Sequence, residues 1–95
     1  ITGGGLIENI PRVLPRDCNA IIQKGSWPTL DVFVAMQSIG KIEEEEMFRT
    51  FNMGIGMVFI VNNKDVDIVS GAVKDLSPIY EIGEIVSGNK HVKIK

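Results

Sequence analysis

Several residue types are nearly missing from this 95-residue chain, which has one cysteine, one histidine, one tryptophan and one tyrosine. A single cysteine, Cys18, can build neither an internal disulfide framework nor a paired-cysteine metal site. A reducing, cytoplasmic setting is therefore the default expectation. The lone histidine, His91, sits in an alternating stretch near the end and reads as a surface residue, neither ligand nor base. Positive charge is not in excess either. Ten Lys and Arg against twelve Asp and Glu leave a net charge of -2, which argues against a nucleic-acid partner. No apolar run approaches the ~20 residues that cross a bilayer, so no membrane partner is expected. No charged-then-apolar leader is present. A starting methionine is missing too. The chain opens at Ile1 and Thr2, directly on a glycine-rich loop with no element ahead of it, and such loops are normally held between two elements of a scaffold. A fragment of a longer protein is expected.

What remains is a soluble globular composition, 44% hydrophobic and 23% charged, sized for one small domain or part of one. Its most telling stretch is Ile1-Thr2-Gly3-Gly4-Gly5, running into a short helical pattern of Leu6, Ile7 and Ile10 that Pro11 closes. Glycine removes the side chain that would keep a ligand off the backbone. A helix starting after such a loop directs unpaired N–H groups and its positive dipole end at an anion, most often a phosphate. The alternative is a tight turn that merely needs glycine, because the pattern is neither the P-loop nor the dinucleotide fingerprint.

Further along, Pro11 and Pro15 bracket an extended or irregular connector. Residues 18–23 suit a strand. Ser26-Trp27-Pro28-Thr29 signals the start of a helix whose broad apolar stripe, through Phe33, Met36 and Ile39, is expected to be mostly buried before Gly40 stops it. The four acids Glu43, Glu44, Glu45 and Glu46 open a short helix, with Glu45 placed to pair with Arg49. Neighbours on a helix fan out, so these acids read as a solvated helix start in preference to a metal or acid–base site. Gly54 and Gly56 precede the apolar run of residues 57–61, typical of a strand covered on both faces. Asn52 beside them offers a hydrogen-bonding amide. Residues 64–76 make an amphipathic helix with Val66, Val69, Val73 and Leu76 on one face. Residues 79–86 form a half-buried strand, and a turn at 87–90 closes a terminal hairpin with residues 91–95. The order of elements predicts an α+β, layered α/β fold, with helices packed on a mixed β-sheet.

Four segments together resemble the C-terminal part of the aminoimidazole ribonucleotide synthetase family, the phosphoribosylformylglycinamidine cyclo-ligases. They are residues 1–15 (ITGGGLIENIPRVLP), Gly25-Ser26-Trp27-Pro28, residues 44–57 (EEEMFRTFNMGIGM) and Ile82-Gly83-Glu84-Ile85. The resemblance runs through essentially the whole chain. It implies an enzyme of purine biosynthesis that closes an imidazole ring with ATP and Mg2+. It also implies a homodimer of two-domain subunits, with ATP held mainly by an N-terminal domain absent from this chain. Residues 1–95 would then be part of one C-terminal α/β domain, expected to be inactive alone. Carried over by position, the resemblance places Thr2, Gly3, Gly4, Gly5, Asn9, Arg12, Arg49, Asn52 and Gly54 at the binding site for a phosphoribosylated substrate. Arg12 has an alternative role, tying the connector down by an ion pair. The family's histidine immediately before Ile-Thr-Gly-Gly-Gly falls outside this sequence, and no catalytic residue or metal ligand is identified. Two other readings stand beside this one. One is a free-standing α/β binding or regulatory module for a phosphorylated metabolite, and the other is a structural domain with no ligand.

Overall fold

The computed structural model describes residues 1–95. Four helices, α1 (Gly5–Asn9), α2 (Asp31–Gly40), α3 (Glu44–Thr50) and α4 (Val66–Val73), accompany three strands, β1 (Cys18–Ile22), β2 (Gly83–Ser87) and β3 (Val92–Ile94). The sheet is mixed, as its sequence suggests, in the order β2-β1-β3, with β1 antiparallel to β2 and parallel to β3. No helix is long and apolar enough to cross a membrane.

The core lies where α1, α3 and β1 meet. Leu6 of α1 and Met47 of α3 are fully buried, with Ile10, Phe48, Ala20 and Ile22 around them. α1 and α3 approach so closely that a Cβ on Gly5 would lie 2.0 Å from the Phe48 carbonyl oxygen and 2.6 Å from that of Phe51. Gly5 also has φ 60. Both the space and the backbone conformation demand glycine there. α3 carries Glu44, Glu45 and Glu46 in its first turn and Arg49 in its last, each complementing the helix dipole. Arg49 pairs with Glu45 at 3.3 Å and with Glu46 at 3.8 Å, and Lys24 reaches Glu44. These pairs are exposed, so each contributes little to stability. Trp27 is buried and donates its Nε1–H to the Met53 carbonyl at 3.0 Å, pinning the 25–28 segment to the turn after α3.

The terminal hairpin does not form. β2 and β3 flank β1 and pair with it, not with each other. The link between them arches over the start of β1 and is held there by Asn19, whose Oδ1 accepts from the Asn89 and His91 amides at 2.8 Å each. Backbone bonds from Gly88 to the Asp17 carbonyl and from Lys90 to that of Cys18 complete the seam. Alternation along residues 79–95 specifies strands but not which neighbour they choose. β2 is also shorter than expected, since residues 79–82 lie outside it.

Four other expectations change. Pro11 does not end the first helix. It opens a 3₁₀ turn over Ile10–Val13, where its fixed φ fits and its missing N–H is not needed, and Leu14 turns extended ahead of Pro15. α2 has no buried residue, with Val32 and Val34 each 54% exposed and Ile39 84%. Only one edge is engaged, through Phe33, whose ring lies 5.9 Å from that of Phe51. Residues 57–61 belong to no strand and are largely exposed, Met57 at 73%. α4 is shorter than expected and follows a 3₁₀ turn at Asn63–Asp65. Val66, Val69 and Val73 are half-buried on the anticipated face, but Leu76 lies beyond the helix and exposed. These departures share a cause. An apolar stripe marks a face that needs cover without saying what supplies it.

Gly5→Ala should destabilise the chain by about 3 kcal/mol or more, through overpacking plus a left-handed backbone, read as a drop in thermal midpoint. Asn19→Ala should cost about 1–2 kcal/mol for two orphaned amides and speed hydrogen exchange at Asn89 and His91 while sparing α3. At Cys18, desolvation first, then the Asp17 charge and the Sγ–H to Oδ1 contact at 3.7 Å, push the thiol pKa up. Less thiolate is then present at a given pH, so alkylation near neutrality should be slow and Asp17→Asn should accelerate it.

Candidate functional site

Residues 2–5 form a loop held from beneath by α1. Gly4 has φ 97 and precedes the first helical residue, with the Gly5 amide bonded to the Thr2 carbonyl at 3.1 Å. Asn9, one turn into α1 and half-buried, donates Nδ2–H groups to the carbonyls of Thr2 (3.4 Å), Gly3 (3.2 Å) and Gly5 (2.8 Å). In a planar trans peptide the N–H points opposite to the C=O before it. Drawing the Thr2 and Gly3 carbonyls toward Asn9 therefore turns the Gly3 and Gly4 amides away from it. Neither amide has an acceptor within the chain, nor do those of Leu6 and Ile7.

The three glycines differ in what requires them. Gly5 answers to packing, as described above. A Cβ on Gly4 would strike the Glu8 side chain, 2.5 Å from Oε2, so a carboxylate lies over that side of the loop. Gly3 is exposed, has no left-handed φ, and a Cβ there meets nothing within 4 Å. The fold does not explain glycine at position 3.

The second glycine motif lies alongside. Asn52 Oδ1 accepts from the Gly54 amide at 2.8 Å, and the Asn52 carbonyl accepts from the Ile55 amide at 3.0 Å. Met53 (φ 56) and Gly54 (φ 96) take the left-handed conformations of the turn. Two contacts bring this turn to the first loop. Gly5 backs onto the Phe48 and Phe51 carbonyls, and the Ile1 amino nitrogen bonds to the Gly56 carbonyl. Thr2, Gly3, Gly4, Gly5 and Asn9 are thus one unit, with Asn52 and Gly54 in the neighbouring one. In both units an asparagine side chain bonds to its own loop's backbone, so each acts as a positioning residue.

The two arginines differ from that group. Arg49 is occupied by Glu45 and Glu46. Arg12 is exposed at the 3₁₀ turn and forms no ion pair, which corrects the tethering role considered for it. A cavity of about 1110 Å³ opens between residues 57–61, α4 and β2, mostly apolar in its lining. It touches Gly54 and Gly56 but none of residues 2–5. It is interior space left uncovered, separate from the loop. No group of three or more His, Cys, Asp or Glu side chains is placed to hold a metal ion. Reading the sequence had missed the pinning by Asn9 and the Ile1–Gly56 contact. An asparagine one turn into a helix after a glycine loop is the only sequence signal for the first, and nothing local signals the second.

Residues 1–95 match the family model described as AIR synthase related protein, C-terminal domain. The chain is similar to the phosphoribosylformylglycinamidine cyclo-ligase of Citrifermentans bemidjiense, with 52% identity over 86 residues, 90% of this chain and 25% of that protein. The cyclo-ligase of Caldicellulosiruptor bescii is 49% identical over 96 residues, 100% of this chain and 28% of its own. That of Trichlorobacter lovleyi is 47% identical over 92 residues, 96% and 26% respectively. The chain spans about a quarter of the length of these curated relatives. The whole-length family match and the identities near one half lead to one conclusion: this chain belongs to the AIR synthase related family and carries sequence of its C-terminal domain.

Proposed function

We propose that the chain is part of an ATP-dependent cyclo-ligase that converts formylglycinamidine ribonucleotide to aminoimidazole ribonucleotide in purine biosynthesis. The relatives' names support the reaction, and the free amides of the glycine loop support this chain's share in it. ATP, when bound, supplies the phosphoryl group that makes the formamide oxygen a good leaving group as the amidine nitrogen closes the ring. ATP and Mg2+ are assigned to an N-terminal domain of a longer, cytoplasmic, homodimeric protein, and residues 1–95 to its C-terminal domain.

Within that scheme this chain holds the substrate's ribose phosphate. The Gly3 and Gly4 amides point away from Asn9 and donate to phosphate oxygens, in the manner of backbone anion nests. The phosphate approaches from the Gly3 side, where no chain atom intrudes, and not from the side covered by Glu8. Asn9 keeps both peptides in the donating orientation, and the Asn52–Gly54 turn walls the loop on its inner side. Arg12, exposed and unpaired, is the one candidate side chain of the first motif with a free positive charge.

The observation that carries this reading is the glycine at position 3 that the fold does not need. In the full-length enzyme, Gly3→Val should raise KM for the ribonucleotide about tenfold or more, the equivalent of one charge-assisted hydrogen bond. The KM for ATP and the melting temperature should stay close to wild type. Unchanged KM for the ribonucleotide in a stably folded Gly3→Val enzyme would remove the loop from the site.

A further inference from the structure

The backbone of residues 57–61 stands out in the hydrogen-bond inventory. None of their five amides or five carbonyls has a partner within the chain, while Gly56 just before them accepts from Ile1. They run without helix, turn or bend, in residues of high strand preference. Met57 (73% exposed) and Phe59 (53%) face outward, and Val58 between them packs on the core, the alternation of a strand. An apolar face alone is satisfied by any apolar cover. A row of unpaired N–H and C=O groups on an extended apolar segment calls specifically for another strand.

We infer that residues 57–61 pair antiparallel with the same residues of a second copy of this chain, about a two-fold axis at Phe59. Charge singles out the second copy. From residue 50 to residue 63 there is no ionisable side chain, so self-pairing brings no like charges together. The outer strands of the sheet differ, with Glu84 on β2 and Lys93 on β3. Pairing about Phe59 sets the two Phe59 rings opposite each other and each Met57 opposite Val61. The contact is isologous and closes at two subunits. The chain's small net charge of -2 offers little repulsion against it.

The test is sedimentation and light scattering of the purified 95-residue chain from micromolar to millimolar concentration. The expected result is a concentration-dependent shift from 10.4 kDa to twice that mass. Phe59→Lys and, independently, Met57→Lys should each raise the dimer dissociation constant at least tenfold with unchanged far-UV circular dichroism. Both positions are more than half exposed in the monomer, so their folding should survive. In a Cys18→Ser background, Phe59→Cys should form a covalent dimer on mild oxidation and Ile39→Cys, on the outer face of α2, should not. A monomer at every concentration, a polydisperse series beyond the dimer, or a dimer indifferent to both lysine variants would overturn the proposal. So would a longer polypeptide containing this chain that stays monomeric with its 57–61 amides protected from exchange, which would assign the strand partner to that polypeptide itself.

Discussion

The close approach of α1 to α3 governs the rest of the structure. Without a side chain at Gly5, the backbone of α1 lies directly on the carbonyls that end α3, and Leu6 and Met47 become the two fully buried large side chains of the core. That contact fixes where residues 2–5 sit, because the loop is only the N-terminal overhang of a helix held from below. It also fixes the Asn52–Gly54 turn, which continues from the same end of α3 and is tied to Trp27 through the Met53 carbonyl. Two segments separated by more than forty residues are neighbours because one glycine lets two short helices touch.

Much of this was legible in the residues. β1 is a compact apolar run ended by turn chemistry, and α3 announces itself by acids at one end and Arg49 at the other. The left-handed positions at Gly4 and Gly54 are glycines, and the family resemblance located both motifs. What escaped notice depends on contacts between distant parts of the chain. The hairpin expected from residues 79–95 is opened by β1, which inserts between its arms under the control of Asn19. The direction of Asn9's hydrogen bonds, and hence its role beneath the loop, is set by the fold of residues 2–5 and not by residue type.

A second group of misreadings concerns cover. The stripes on α2, α4 and residues 57–61 were identified correctly as apolar, and in this chain most of them face outward. Periodicity records what a segment asks of its surroundings. Twelve residues out of ninety-five are buried, so the chain meets that request fully only around α1, α3 and β1. The relatives are about four times as long, which leaves ample polypeptide beyond these residues to meet the rest. The division is physical as well as sequential: one end closely packed and bearing the loop, the other framing an open apolar cavity.

The central claim is that unpaired amides, turned outward by Asn9, grip a phosphate ester. Its most direct measurement is a 1H–15N titration of the full-length protein with the formylglycinamidine ribonucleotide in the absence of ATP. The account predicts saturable downfield shifts at the Gly3 and Gly4 amides, matched by a perturbed 31P resonance of the ligand. Saturation of the protein with those two amides unmoved, and the shifts clustered elsewhere, would contradict it.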